Sequence, residues 1–596
     1  MIHPLTNICF VGAGYVGGPT AAIMAYENPH LRVTVVDNNE QRIRRWNSEH
    51  LPIYEPGLGD IVRIARDGGR KFQFTNEPID QRQRSHMLPF PGHNLQDEAQ
   101  ITVSARAPNL FFSTQVGECV SEADIVLIAV NTPTKTKGIG AGSATNMTSF
   151  DAVAAVVAQH ARPGAIIVEK STVPCGTSES VKKILAMHRP GVHFEILSNP
   201  EFLSAGTAMK DLMYPDRVLI GSSLTAAGRL ASAALASVYG AWVPPSRIVT
   251  ADVFSTELTK LVANSMLAQR ISSINSISAL CEKLGANVDE VSAGIGADSR
   301  IGDKFLKAGI GFGGSCFKKD VLSLVYLAES LGEPEVGEYW RQVIVMNEFQ
   351  RDRFARRVIA CMNNNLQGKK VAVLGYAFKA NTSDTRETPA LGIIKTLVLE
   401  SPKEIAIYDP CCNPEVVKAE IKALIQDEPA LKEDGGPVVV YSDADDACAR
   451  SDAILITTDF DEFRHTPKAG GPTAKSADPR PFPHRPNGPT ETEILCLHKY
   501  LLSNPATAGK VGDPLGRYVP EPACESNCPD CGLIKTTGYS TAGNTAEDRI
   551  KTPLDWRRIA VNMNPSRLLF DGKGIIDDID AEDMRELGFQ VERIGH

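Results

Sequence analysis

The sequence predicts an α/β protein with two Rossmann-like, doubly wound parallel-sheet domains joined by a long central helix, and three observations carry that expectation. A short apolar run, Ile8-Cys9-Phe10-Val11, opens directly into Gly12-Ala13-Gly14-Tyr15-Val16-Gly17 and then an Ala-rich helical stretch. Runs such as Ile125 to Val130 and Ala165 to Val168 are apolar throughout, the pattern of parallel strands covered on both faces, and a second set of such runs begins near Lys369. Between the two sets, Ala251 to Leu284 holds neither Pro nor Gly and repeats its apolar residues at helical spacing.

Composition narrows the function classes. A chain of 596 residues with 43% hydrophobic residues can build several ordinary cores. Its 62 Lys and Arg against 71 Asp and Glu, a net charge of −9, give no general affinity for nucleic acid or an anionic membrane. Small molecules and other protein chains are the expected partners. The first ten residues lack a basic stretch ahead of an apolar core, and no run approaches the roughly 18 apolar residues of a membrane span. Thirteen Cys, an odd number in a long chain, fit a reducing compartment. A soluble, cytoplasmic protein is expected.

In the first domain, Gly12, Gly14 and Gly17 stand at the spacing that permits a tight turn, close approach of backbone to a pyrophosphate, and packing of helix on strand. The next strand, Arg32 to Val36, ends in Asp37. A carboxylate there binds both ribose hydroxyls and repels a 2′-phosphate, so NAD is expected rather than NADP, with Arg42 read as part of the adenosine pocket. The carboxyl ends of later strands carry Val130-Asn131-Thr132-Pro133-Thr134, then Ser171 and Thr172, then Asn199-Pro200-Glu201-Phe202-Leu203. Ligands of open α/β sheets sit at those ends, so Glu201 is either an ordinary solvated acid or a site residue. The stretch from Thr75 to Pro108 is polar and without sustained periodicity, and reads as a surface insertion.

The helix expected from Ala251 to Leu284, stopped by Gly285, would be about 50 Å long, enough to bridge two domains and to pack against a copy of itself. Lys260 and Asn264 share one of its faces, either as a solvated face or as part of a site. Sequence order favours the site, because the helix leads toward Arg300 and then Gly309-Ile310-Gly311-Phe312-Gly313-Gly314-Ser315-Cys316-Phe317-Lys318-Lys319-Asp320. A glycine loop with a Cys is often only a tight turn, yet a thiol beside cations loses its proton more readily and becomes a nucleophile. Lys318 and Lys319 stand beside the thiol, and the stretch by itself leaves both readings open.

The last domain opens at Lys369 to Lys379 without the three-glycine fingerprint, which suggests a phosphate-bearing ligand other than a second dinucleotide, with Lys379 and Arg386 as cationic contacts. Residues Pro467 to Pro522 are rich in Pro, Gly, Thr and Ala and read as a second insertion. Beyond it, Cys524, Cys528 and Cys531 are either three unligated thiols, the default, or a structural zinc site completed by Cys496 or His498. The expected division is 1–250 for NAD binding (insertion about 75–108), 251–360 for the central helical part with the Cys316 loop, and 361–596 for the phosphate-bearing ligand (insertion about 466–553).

Taken together, these motifs resemble the UDP-glucose/GDP-mannose dehydrogenase family, whose members also oxidise UDP-N-acetylmannosamine. The likeness runs through Gly12 to Thr20, Leu51 to Leu58, Val130 to Thr134, Lys170 to Pro174, Asn199 to Leu203, Glu257 to Ser273, Arg300 to Asp320 and Phe378 to Thr388. Apart from the insertions it covers nearly the whole chain, and the stretches around Asn264 and Cys316 point to the UDP-glucose branch. The resemblance implies a four-electron oxidation of UDP-glucose to UDP-glucuronate in which Cys316 captures the aldehyde as a thiohemiacetal and carries it on to a thioester. It implies that Lys260 and Asn264 stabilise the oxyanion, that Asp320 orients water or acts as base with Lys260, that Glu201 assists hydrolysis and that Thr172 helps place a water. It assigns Arg300 to a neighbouring subunit's substrate, Lys307 to Gly313 with Phe378 and Lys379 to the UDP-sugar, together with Phe202 and Leu203, and Lys319 and Arg386 to the NAD side. Homo-oligomers built from dimers, up to a hexamer, are implied as well.

Two departures stand out. Where the family pattern has Glu four residues after Glu201 this chain has Ala205, and the family's Phe-Asp-Gly-Arg-Arg reads Phe570-Asp571-Gly572-Lys573-Gly574. Each removes a charged contact, typically worth ~1.5–3 kcal/mol, so activity would survive in weakened form. A dehydrogenase for another nucleotide sugar and a weakly active regulatory paralogue are the competing expectations.

Overall fold

The computed structural model describes residues 5–48, 51–53, 55, 57–68, 72–75, 100–103, 106–425, 429–465 and 553–596. Their contacts divide into two compact units, with the boundary between Leu261 and Val262.

The first unit runs β1 (Asn7–Val11), α1 (Gly17–Glu27), β2 (Arg32–Val36), α2 (Glu40–Trp46), α3 (Leu58–Asp67), β3 (Phe72–Thr75), β4 (Gln100–Val103), β5 (Leu110–Ser113), α4 (Val116–Glu122), β6 (Ile125–Ile128), α5 (Thr148–His160), β7 (Ile166–Glu169), α6 (Thr177–His188), β8 (Glu195–Ser198), α7 (Ala208–Met213), β9 (Val218–Ser222), α8 (Ala226–Tyr239) and β10 (Ile248–Asp252). Its sheet has the order β10-β9-β8-β7-β6-β1-β2-β5 and is parallel except where β9 meets β8. The order reverses between β1 and β6, and that switch point is where open α/β sheets bind ligands. Both faces of the central strands are buried, with Phe10, Tyr26 and Trp242 against one side and Phe150 against the other, as the unbroken apolar runs require.

Helix α9 (Val253–Leu284) crosses the boundary. It starts two residues later than its Pro- and Gly-free run suggests. Ala251 and Asp252 instead pair with Gly221 and Ser222 as the end of an edge strand, and Asp252 Oδ1 accepts the Ser255 N–H at 3.1 Å. Tertiary pairing overrides helix propensity there.

The second unit continues with α10 (Val288–Gly296), α11 (Phe317–Ser330), α12 (Pro334–Cys361), β11 (Lys370–Leu374), α13 (Pro389–Val398), β12 (Glu404–Tyr408), α14 (Pro414–Leu424), β13 (Val438–Tyr441), α15 (Ala444–Cys448), β14 (Ala453–Ile456), α16 (Trp556–Asn562), β15 (Leu568–Asp571), α17 (Asp578–Glu586) and β16 (Gln590–Arg593). Its sheet, β13-β12-β11-β14-β15-β16, is parallel throughout and repeats the doubly wound order. Asp409, at the end of β12, accepts the N–H groups of Tyr376 and Ala377 at 2.6 and 2.8 Å.

Most of the first insertion, residues 76–99, lies outside the described residues, but its margins are ordered against each other. β3 and β4 pair antiparallel, Phe72 with Val103 and Phe74 with Ile101. Four residues of alternating Gln100, Ile101, Thr102 and Val103 are too few to stand out as a strand within a polar stretch. The second insertion, residues 466–552, lies outside the described residues altogether, and with it Cys496, His498, Cys524, Cys528 and Cys531.

Candidate active site

In the first unit the glycine turn follows β1 as the spacing requires. Gly12 has φ of +113°, and a Cβ there would lie 2.4 Å from the Ala129 carbonyl oxygen, so only glycine fits. A Cβ on Gly14 would come no nearer than 3.9 Å to Asn131, which leaves open room at the turn for a ligand. The Tyr15 hydroxyl is buried without a hydrogen-bond partner. Asp37 accepts the Ala13 N–H and Arg42 Nη1, both at 2.9 Å, so Arg42 sits on the carboxylate expected to bind the ribose. Val16 and Gly17 lead into α1, whose first residues are buried against the sheet. This cradle fits a dinucleotide by an open turn, an unpartnered hydroxyl and a carboxylate at the end of β2.

Across the switch point, Ser171 Oγ donates to the Val130 carbonyl at 2.7 Å and Thr132 Oγ1 to the Thr172 carbonyl at 2.7 Å, locking the ends of β6 and β7 together. Asn131 and Pro133 are exposed beside them, and Thr134 bridges to Thr145.

Glu201 is held by three donors. Lys260 Nζ donates to Oε2 at 2.8 Å, Thr172 Oγ1 to Oε1 at 3.2 Å, and the Leu203 N–H to Oε2 at 3.3 Å. Glu201 and Lys260 are 7% and 3% exposed, so the solvated-acid reading fails. Burial pushes the Glu201 carboxyl up, but Lys260, Lys170 and the Leu203 N–H outweigh it and hold it below the usual carboxylate range. Phe202 lies under two cations, with Arg217 3.9 Å and Lys260 5.2 Å from its ring centre. Glu55 accepts the N–H groups of Gly206 and Ala208 at 2.6 and 2.9 Å, which pins the turn that contains Ala205.

Sequence reasoning missed the network behind Glu201. Lys170 is buried, donates to Asn199 Oδ1 at 3.2 Å and lies 3.4 Å from the Tyr239 hydroxyl, which itself donates to Asn199 at 2.6 Å. Burial pushes the Lys170 ammonium down to about 8, Glu201 opposing and Lys260 assisting. A Lys directly after a buried strand was the available signal.

In the second unit, Cys316 caps α11 and is the one exposed cysteine among the described residues. Its position at a helix N-terminus favours the thiolate. Cys175, in contrast, is pushed up to about 11 by burial and then by Glu257 and Asp252. One turn into α11, Asp320 is 1% exposed and accepts Asn264 Nδ2 at 2.6 Å, with Lys319 Nζ 3.4 Å from its other oxygen. The loop before Cys316 is clamped on both sides. Asn347 accepts the Phe312 N–H at 2.8 Å and donates to its carbonyl at 3.0 Å. Gly311 lies against the same Asn347, and the Gly314 N–H donates to the Arg386 carbonyl at 3.0 Å. Gly314 has φ of +83°, and a Cβ would meet the Phe378 ring at 2.9 Å; one on Gly313 would meet Phe378 at 2.8 Å. Arg386 pairs with Asp384, which raises it further, and lies within electrostatic reach of Cys316. Lys379 lies 5.8 Å from the Phe378 ring centre.

Two residues assigned to substrate are tied elsewhere within the chain. Arg300 is exposed and paired with Asp298, and Lys307 is held at 2.8 Å by both oxygens of Asp289. The space beside Gly574 explains one departure. A Cβ there would lie 2.6 Å from Lys307 Cε, so Lys307 occupies the room an arginine stem would need. Lys573 turns inward, donating to the Phe378 carbonyl at 3.2 Å, with burial pushing its ammonium down and Asp459 opposing. Among the described residues no group of three or more His, Cys, Asp or Glu is placed to hold a metal ion, and no helix is long and apolar enough to cross a membrane.

The sequence matches the models of three domains described for the UDP-glucose/GDP-mannose dehydrogenase family: the NAD binding domain over residues 6–88 and 83–243, the central domain over 254–349 and the UDP binding domain over 372–478. It is 48% identical over 469 residues to UDP-glucose 6-dehydrogenase 2 of Oryza sativa subsp. japonica, which covers 77% of this chain and 89% of the relative. UDP-glucose 6-dehydrogenase 1 of Arabidopsis thaliana is 46% identical over 468 residues, with the same coverage of both chains. Among solved structures, a UDP-glucose dehydrogenase from Pyrobaculum islandicum superposes with a TM-score of 0.60 at 28% identity, over 77% of this chain and 92% of that one.

Proposed function

The chain belongs to the UDP-glucose/GDP-mannose dehydrogenase family, with NAD as its cofactor, and from that premise we propose that it oxidises UDP-glucose to UDP-glucuronate in two steps through a covalent intermediate on Cys316. The observation that carries the reading is the exposed Cys316 thiol at the head of α11, one turn before the buried Asp320 that Asn264 holds.

NAD, when bound, would supply the hydride acceptor for both oxidations. Around it, the chain's own groups divide the work. A base takes the proton of the C6 hydroxyl as hydride leaves, giving the aldehyde. Glu201, held charged by Lys260, and Asp320 are the candidate bases. The Cys316 thiolate adds to the aldehyde and forms a C–S bond, and Lys260 and Asn264 stabilise the resulting alkoxide as fixed donors. Loss of the second hydride leaves a thioester. Water placed by Thr172 and Glu201 then breaks the C–S bond, releasing the carboxylate and restoring the thiol. Covalent capture keeps the aldehyde from escaping between the two oxidations.

Lys307, Phe312, Phe378 and Lys379 are read as contacts to the UDP-sugar and Arg386 as a contact on the cofactor side. The inward turn of Lys573 and the absence of a side chain at Gly574 predict a weaker hold on the nucleotide than in a chain with two arginines there. We read the chain further as a homo-oligomer of dimer units. The test of the reaction is NADH formation from UDP-glucose, compared with Cys316→Ser. Two NADH per UDP-glucose, with turnover lost in the variant, is expected. No NADH from the unmodified protein, beside turnover of another UDP- or GDP-sugar, would replace the substrate.

A further inference from the structure

Two buried carboxyl groups, each three residues from a group that grips Glu201, are not used by the proposed reaction. Glu169 ends β7, is 0% exposed, and neither of its oxygens finds a hydrogen-bond donor. Glu257, on α9 and 2% exposed, accepts the Gly176 N–H at 2.6 Å and the Ser178 N–H at 2.9 Å, holding the start of α6. The two side chains lie within hydrogen-bonding reach of each other. Two buried carboxylates side by side repel, whereas a single proton between them makes a strong O–H···O⁻ bond.

We propose that Glu169 and Glu257 hold one proton between them, and that this acid–carboxylate pair ties the end of β7 and the first turn of α6 to α9, positioning Thr172 and Lys260 on Glu201. The connections are short. Thr172 follows Glu169 by three residues and donates to Glu201 Oε1, while Lys260 lies one turn beyond Glu257 and donates to Oε2. Both arms that grip Glu201 therefore start from the shared proton.

The proton belongs on Glu169, whose oxygens have no donor, whereas Glu257 already accepts two backbone N–H groups. Burial first, and then Glu257, push the Glu169 carboxyl well above the usual range, opposed by Lys182 of α6. Of the other groups nearby, the Cys175 thiol faces Glu257 and Asp252 of β10, and Lys170 engages Asn199 and Tyr239. Positioning rests on the proposed roles of Glu201, Lys260 and Thr172; the shared proton does not.

The test uses the full chain with Glu169→Gln, whose amide can donate to Glu257 without a titrating proton, and Glu169→Met, which fills the space but cannot donate. A carboxyl raised in the folded state gives stability that is full below its unfolded value and is lost as pH rises toward the folded one. Thermal unfolding from pH 6 to 9 should therefore show E169Q gaining on the unmodified protein, by at most about tenfold in the folding equilibrium per pH unit. Parallel curves would overturn the shared proton. Hydrogen exchange at the amides of Gly176 and Ser178 should quicken about tenfold or more in E169M and stay close to the unmodified protein in E169Q. Equal exchange in the two variants overturns the tie. With UDP-glucose, kcat should fall about tenfold in E169M with KM within about threefold, and recover in E169Q. Unchanged kcat in E169M removes the positioning role. If the unmodified protein makes no NADH from UDP-glucose, the proposed reaction fails, while melting and exchange still decide the pair. If E169M does not fold, the melting of E169Q and exchange in the unmodified protein across the same pH range decide it.

Discussion

Lys170 and Asn264 each donate to one buried oxygen, Lys170 to Asn199 Oδ1 and Asn264 to Asp320 Oδ2. Asn264 supplies the single hydrogen bond to Asp320 Oδ2, a carboxylate 1% exposed. Asn264→Ala leaves that oxygen unsatisfied and should cost about 1–3 kcal/mol, read as a fall in the unfolding midpoint, with a loss of NADH formation larger than the stability change explains. Lys170 makes a prediction with a defined pH window. Its ammonium is depressed to about 8 when folded, against roughly 10.4 for an unfolded Lys. Between those values the unfolded chain binds more protons, so stability should rise with pH relative to Lys170→Met, a difference that thermal melts from pH 7 to 10.5 would reveal. Stability that falls with pH relative to Lys170→Met over that range would contradict the buried Lys. Lys260→Ala is harsher, since it strands Glu201 at 7% exposure, and about 3–5 kcal/mol of destabilisation is expected by denaturant titration.

At the scale of elements, the loop before α11 is held as tightly as a strand although it contains no regular structure. Asn347 of α12 brackets Phe312, and Phe378 closes over Gly313 and Gly314. Gly314→Ala would force a side chain into left-handed backbone and against the Phe378 ring. It should cost about 1–3 kcal/mol and slow the thiol step, measured as alkylation of Cys316 by iodoacetamide. The loop's glycines were legible in the sequence, whereas the helix Phe317–Ser330 after it was expected only as part of a helical central region. Which groups touch the loop was not legible. Asn347 stands 35 residues further along the chain from the Phe312 it clamps, and nothing in its local sequence distinguishes it from a surface amide. The start of α9 and the strand Gln100–Val103 escaped for a related reason, since pairing partners far away in sequence decided both.

For the whole molecule, an exposed apolar face of α9 is the candidate surface for the association proposed above. Met266, Ile277, Leu280 and Leu284 of α9 are 49%, 36%, 57% and 80% exposed, and their spacing puts them on one helix face. Leu280→Glu should shift the protein to smaller species in light scattering while leaving the melting curve nearly unchanged; an unaltered mass would place the contact elsewhere. The sequence by itself determined the doubly wound parallel sheets of both units and the glycine turn with Asp37 at the end of the second strand, because each is written in local pattern: strand, turn, helix and the residue at each carboxyl end. Only the tertiary structure decided that Lys260 meets Glu201, that Asn264 meets Asp320, that Lys307 fills the room beside Gly574, and that Glu169 faces Glu257. The physical reason is the same in each case. A buried charge is defined by the partner that compensates it, and that partner is supplied by a different element, tens of residues or more away, whose approach no local spacing records.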